Sequence, residues 1–336
     1  MAWDYALRQG GTLRIIIPDM GHGNCIGLFE EKSGSLLIDC GAENTIKETN
    51  FRNLVKSELD KAAKRDLIIT HYHTDHHNLL RSFPSNFFEN IYLPRLPARS
   101  SAAQVILQFV ALAIAQRYQD YYLIPGIMKY AKQIHPLIKG EHFNAFNKDW
   151  DVLWPDYKII DEKNVRKIQT VREVIEASKA NLTREQRDEF EKWLNILSTA
   201  FSDRERPEIP PQESIPDKPI HAEVQKALES VEDVFTHLAN RTSLVVRDNT
   251  PVRFLFTGDI DNSILNNYLF FGNQDYTLIE APHHGGYYGT AFDNVFTQVL
   301  VISRKETYKP RCEYFRDLSW NNLVDTPRNG NCTIRC

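Results

Sequence analysis

The sequence predicts an α/β fold, a four-layer sandwich made of two β-rich halves with a largely helical insertion between them. Short β-branched runs separated by glycine-bearing turns fill residues 12–70, and the same texture returns over 243–279. Residues of approximately 100–240 carry helical spacing instead. Histidine and aspartate recur at three predicted strand ends, where layered α/β folds commonly gather their chemistry.

In order, Thr12 to Ile17 reads as a strand and Pro18-Asp19-Met20-Gly21-His22-Gly23-Asn24 as a turn. Cys25 to Phe29 and Ser35 to Asp39 are joined by a short polar link through Ser33-Gly34, which makes them a hairpin. Asn50 to Ala63 has helical spacing through Phe51, Leu54, Val55 and Leu59. Arg65 to Thr70 is the next strand, and Thr70-His71-Tyr72-His73-Thr74-Asp75-His76-His77 lies at its end. Ala102 to Tyr122 and Gly126 to Gln133 are predicted helical, and Trp150 to Trp154 is a strand stopped by Pro155.

Glu162 to Ala180 is a helix candidate, and Thr183 with Gln186 three residues later forms a capping box that opens another helix. Pro207, Pro210, Pro211, Pro216 and Pro219 mark an extended linker, after which Glu223 to Leu238 returns to helix. Ser243 to Val246 and Val252 to Phe256 are strands, the second closed by Thr257-Gly258-Asp259. Asp261 to Leu269 reads as a helix, and Tyr276 to Ile279 as a strand running into Pro282-His283-His284-Gly285. The expected organisation is one domain over 1–336, with a core of approximately 11–100 and 240–336 and an insertion or cap over approximately 100–240.

The 336 residues include 40 basic and 44 acidic side chains, for a formal charge of -4 and a pI near 6.3. That balance excludes global steering toward nucleic acid, though not a local basic groove. Arg304, Lys305, Lys309, Arg311 and Arg316 are candidates for phosphate contacts, diluted by Glu306, Glu313 and Asp317. The apolar stretch of 105–115 is too short to span a bilayer, and the first residues lack a signal-peptide pattern, so a cytoplasmic protein without a membrane partner is expected. Cys25, Cys40, Cys312, Cys332 and Cys336 form no dense disulfide framework.

Four imidazoles and one carboxylate within residues 71–77 are hard to explain as packing, because burying them without partners is costly. Neutral imidazoles and carboxylates are good zinc ligands. Alternation places His71 and His73 on one side of an extended segment, and Asp75 and His76 follow on a tight turn toward a neighbouring ion. Asp259, after Gly258, is placed to bridge two ions, and His283 and His284 complete the ring. Two ions about 3.5 to 4 Å apart can hold a hydroxide and stabilise the attacking and leaving oxygens of a phosphodiester. The same hydroxide can attack an ester, amide or lactone carbonyl.

His71-x-His73-x-Asp75-His76 resembles the signature of the metallo-β-lactamase fold superfamily. The nearer likeness is to the branch holding the soluble domain of competence-type DNA-uptake proteins and bacterial phosphorylcholine esterases. Asp19 to Cys25 resembles that branch's opening turn, Leu36-Leu37-Ile38-Asp39-Cys40-Gly41 its next strand, and Leu255-Phe256-Thr257-Gly258-Asp259 its later core. Pro282-His283-His284-Gly285 matches its last ligand motif. The likeness spans roughly residues 11–100 and 240–305. It departs at His22 and Asn24 (glutamine and aspartate in the pattern), at Asn78-Leu79 (a glycine pair), at Gly286 (a serine) and at Lys309-Pro310-Arg311-Cys312. It also lacks a convincing histidine ligand among His135, His142, His221 and His237.

The resemblance implies that His71 and His73 hold one zinc ion, Asp75 and His76 another, that Asp259 bridges, and that His284 ligates while His283 contacts phosphate. Asp75 and His283 are then the catalytic candidates. Asp39 would orient a ligand imidazole from behind, with His22, Asn24 and Tyr287 as supporting or substrate-contacting residues. The expected function is a phosphodiesterase or nuclease with two zinc ions per chain, manganese being the alternative metal, acting on a phosphate ester such as nucleic acid or a nucleotide. The alternatives are hydrolysis of a carboxylic ester, amide or lactone, and a non-catalytic regulatory protein that binds a partner through the helical insertion.

Overall fold

The two β-rich halves form two mixed sheets. A computed structural model of the chain describes residues 3–6, 13–30, 34–118, 124–203, 220–250, 253–307 and 318–335. In chain order the strands are β1 (Trp3–Ala6), β2 (Arg14–Ile17), β3 (Ile26–Glu30), β4 (Gly34–Ile38), β5 (Arg65–Ile68), β6 (Phe88–Pro94) and β7 (Ala131–Leu137). They continue as β8 (His142–Ala145), β9 (Lys148–Trp154), β10 (Val245–Asp248), β11 (Phe254–Phe256), β12 (Asp275–Glu280), β13 (Phe296–Ile302), β14 (Ser319–Asp325) and β15 (Cys332–Arg335). One sheet runs β1-β15-β2-β3-β4-β5-β6-β7 and the other β14-β13-β12-β11-β10-β9-β8.

Each sheet has an antiparallel stretch, β15-β2-β3-β4 in one and β11-β10-β9-β8 in the other, and β1 joins the first sheet parallel to β15. From β4 to β7 and from β11 to β14 all neighbours are parallel, so these strands end at the same edge of their sheet. Alternate residues of these strands enter different cores. Leu36, Ile38, Ile68, Leu278, Val299 and Val301 share one cluster to which both sheets contribute. Leu37, Leu67, Ile279, Leu300 and Ile302 instead join the larger cluster that contains the helices. Burial on both faces explains why the strands read as continuous apolar runs rather than as alternating ones.

The apolar stretch of the insertion is the helix Ser101–Ala115, buried along most of its length. Ser100 caps its N-terminus, and the Asp161 carboxylate accepts from the free Ser101 and Ala102 N–H groups at 2.9 and 2.8 Å. Phe109 stacks on Phe235 of the helix Glu232–Arg241 at 3.9 Å, so this helix is the centre of an intramolecular core. Among the described residues no helix is long and apolar enough to cross a membrane. The capping box of Thr183 and Gln186 forms as its spacing predicts, opening the helix Arg184–Ser198.

Several expectations are corrected. Gly126 to Gln133 is not one helix: the chain is helical over Ile124–Tyr130 and then becomes β7, because pairing with β6 outweighs a short stretch of weak local preference. The region of 100–240 is therefore not helical throughout, and β7, β8 and β9 inside it extend both sheets. Glu162 to Ala180 breaks at Asn164 into Tyr157–Lys163 and Val165–Ala180, and Glu223 to Leu238 breaks at Ser230 and Val231. The proline-marked linker lies outside the described residues, as do Lys309, Arg311, Cys312, Arg316 and Cys336.

Candidate metal centre

Four strand ends meet at one place. Asp39 follows β4, the histidine-rich segment follows β5, Asp259 follows β11, and Pro282-His283-His284 follows β12. Backbone hydrogen bonds join these ends: Leu244 N–H donates to Thr70 C=O at 2.6 Å, His283 N–H to Gly258 C=O at 3.0 Å, and Cys40 N–H to His76 C=O at 2.9 Å. Two glycines permit this closeness. A Cβ on Gly41 would lie 1.6 Å from the Asp75 carbonyl oxygen, and one on Gly258, whose φ is +52°, would lie 2.8 Å from Thr70 Cβ. His283 and His284 also adopt left-handed backbone, with φ of 49° and 56°, which turns both imidazoles back toward the strand ends.

The donor atoms converge around Asp259. His71 Nε2 is 3.2 Å from His73 Nδ1 and 3.7 Å from Asp259 Oδ2. His76 Nε2 is 3.5 Å from Asp259 Oδ1 and 4.0 Å from Asp75 Oδ2. His284 Nε2 is 3.7 Å from Asp259 Oδ2 and 3.6 Å from Asp75 Oδ2, and His283 Nε2 is 3.7 Å from Asp259 Oδ2. Ligands about 2.0 to 2.2 Å from a common ion stand roughly 3 to 4 Å from one another, so these separations suit atoms sharing an ion. Two triads with Asp259 in common, His71-His73-Asp259 and His76-Asp259-His284, can each hold a metal ion.

The hydrogen-bond inventory supports the same reading. His76 Nε2 and His284 Nε2 are buried with no hydrogen-bond partner in the protein, a costly arrangement for imidazole nitrogens without a ligand. Their opposite nitrogens are often fixed. His76 Nδ1–H donates to Asp39 Oδ2 at 2.7 Å, and His284 Nδ1–H to Ser303 C=O at 2.7 Å, which leaves each Nε2 lone pair facing the cluster. Asp39 is itself held by Thr70 N–H and Thr70 Oγ1–H at 2.7 Å each and by Asn24 Nδ2 at 2.9 Å. The residues therefore fit a metal.

Charge follows from this crowding. Burial lowers the His71 imidazole well below its usual value, with neighbouring His76 acting in the same sense. Burial opposes the charge of His76 too, but Asp39, Asp259 and Asp75 outweigh it and push that imidazole up to about 10. Burial would raise the Asp75 and Asp259 carboxyls, yet the surrounding histidines hold Asp75 well below the usual range and lower Asp259 too. Burial and His284 lower His22 to about 4.

Every residue that the sequence singled out here is brought to one place, in three kinds of position. His71, His73, His76, Asp259 and His284 face inward, whereas the Asp75 and His283 side chains keep 25% and 24% of their surface exposed. Asn24 is buried behind Asp39, away from any substrate-facing surface. Tyr287 packs edge-on against His283 with ring centroids 4.6 Å apart. The four intervening histidines lie elsewhere: His135 meets Asn90, His142 meets Asp151, His221 caps a helix, and His237 is 3.6 Å from Asp261. Arg304 turns inward to pair with buried Asp325 at 2.7 Å, so it does not line a phosphate groove.

Sequence reasoning missed Glu280 and Thr70 as parts of this centre. Glu280 accepts from Asn24 Nδ2 and from the Thr257 and Gly258 N–H groups, so it fixes the turn that carries Asp259. Burial and the Asp39 charge push its carboxyl up to about 7. A carboxylate directly after the apolar pair Leu278-Ile279 and just before the Pro282-His283-His284 motif is the available signal. No family model and no curated protein sequence matches the chain.

Proposed function

We propose that this chain is a metal-dependent hydrolase of phosphate diesters, built on a four-layer αββα fold of the metallo-β-lactamase type and using two zinc ions. The convergence of histidine and aspartate donors from the ends of β5, β11 and β12 on the shared Asp259 carboxylate carries the reading. The fold part rests on the cluster between the two sheets and on helices packed against their other faces. His71, His73 and Asp259 would hold one ion; Asp75, His76, Asp259 and His284 would hold the other. Bound there, two such ions supply Lewis acidity toward a phosphoryl oxygen and make water a stronger acid.

The protein's own groups supply orientation and proton transfer. Asp39 and the Ser303 carbonyl fix the imidazoles of His76 and His284, so the centre is set before substrate arrives. Asp75, partly exposed at the rim, presents carboxylate oxygens able to orient a water by accepting its hydrogen bond. His283 Nε2 faces the same opening, placed to donate to a phosphoryl oxygen or to the departing alkoxide. Edge-on packing of Tyr287 limits the swing of that ring.

The deciding experiment is a turnover panel containing a generic phosphodiester, single- and double-stranded nucleic acids, cyclic nucleotides and carboxylic esters, run on wild type and Asp259→Ala. Phosphodiester hydrolysis abolished by Asp259→Ala is expected. Turnover of carboxylic esters alone transfers the reading to the alternative hydrolase, and turnover of nothing by a fully metal-loaded protein favours a regulatory role.

A further inference from the structure

We infer that His22 is a direct ligand of the ion held by Asp75 and His284, an inference that rests on the metal-hydrolase reading above. His22 Nε2 lies 3.9 Å from Asp75 Oδ2, and its ring centroid is 4.3 Å from that of His284. The ligand atoms of His22, Asp75 and His284 all lie within 4.8 Å of one another, which makes them a third metal-competent triad beside the two that share Asp259. The His284 Nε2 atom in this triad is buried and has no hydrogen-bond partner in the protein.

His22 is held in place by its turn. The His22 N–H donates to Glu43 Oε2 at 3.1 Å, the Glu43 and Gly23 N–H groups both donate to Met20 C=O, and the Asn24 N–H donates to Asp75 C=O at 3.0 Å. The last bond ties the opening turn to the loop bearing Asp75, so the imidazole and that carboxylate keep a fixed relation. With 34% of its side-chain surface exposed, the ring sits at the rim of the cluster.

The consequence is an asymmetric pair. One ion would draw on His71, His73 and Asp259, and the other on the His22-Asp75-His284 and His76-Asp259-His284 triads, which have His284 in common. A site saturated by protein donors is closed, whereas a site with three keeps a position for water or substrate. The ion near His71 would therefore be the one that remains open.

Metal-free full-length protein titrated with cobalt(II), followed by visible absorption and by proton NMR of the paramagnetically shifted imidazole N–H signals, tests this in wild type and His22→Gln. Wild type is expected to take two ions. His22→Gln should keep the first ion unchanged and bind the second at least about tenfold more weakly, the scale for losing even an indirect partner of a ligand, with one shifted N–H signal missing. Should the variant unfold, wild type with 15N-labelled histidine decides: a coordinated His22 ring nitrogen is shifted and broadened by the metal. Two ions bound alike by both proteins, or an unshifted His22 ring in the two-cobalt wild type, overturns the inference and leaves the hydrolase reading standing. A wild-type chain that takes no ion overturns both.

Discussion

His76 Nδ1 lies 2.7 Å from Asp39 Oδ2, and this contact between residues at the ends of adjacent parallel strands β5 and β4 sets the orientation of a ligand at the centre. Replacing Asp39 by Asn keeps the side-chain shape but puts an amide NH2 where a carboxylate oxygen accepts from Thr70, Asn24 and His76, which should weaken the contact that selects the His76 tautomer. Metal affinity is expected to fall by about tenfold to a hundredfold, measured by competition with a chromophoric chelator.

Asp259 is common to two of the three triads, so on the proposed reading its loss should be felt at both. Asp259→Ala is expected to lose most bound metal by elemental analysis. Full occupancy in that variant is the result that defeats the site assignment.

His283 makes a sharper kinetic prediction. His283→Gln should keep the metal content while lowering phosphodiester kcat by about a hundredfold or more, the range for removing a positioned proton donor. Loss of metal in this variant instead would make His283 a ligand rather than a substrate contact.

The His76 imidazole, raised to about 10 against its ordinary 6.5, predicts opposite pH trends for the two forms of the protein. In the metal-free form its pairing with Asp39, Asp259 and Asp75 contributes stability that is complete below about 6.5 and is lost as pH rises through about 10. Metal must displace that proton, so affinity should increase with pH over the same window. Calorimetry of metal binding in two buffers of different ionisation enthalpy should show net proton release. Thermal melts of the metal-free protein should fall between neutral and alkaline pH.

Gly41→Ala tests the close approach of two loops. A Cβ there would sit 1.6 Å from the Asp75 carbonyl oxygen, a clash that cannot be relieved without moving the ligand loop. The expected result is destabilisation of about 2 kcal/mol or more in denaturant unfolding, with metal binding lost in any folded fraction.

Much of the centre was legible because its chemistry is local in sequence. Two histidines one residue apart must share a side of an extended segment, and Asp75-His76 must follow on a turn whatever the rest of the chain does. The strands bearing these motifs were legible as well, because both of their faces are buried and their sequences are accordingly apolar. The short peripheral strands were not: β7 has weak local preference, and only its parallel register with β6 makes it a strand.

What the chain alone determined is therefore the donor chemistry and the strand ends that carry it, since both follow from residue type and short-range periodicity. Tertiary structure decided which donors lie close enough to share an ion, that Glu280 and Thr70 belong behind them, that Asn24 faces inward, and that His22 comes within 3.9 Å of Asp75. Those relations depend on the register and packing of two sheets, and spacing along one segment does not specify its distance from another.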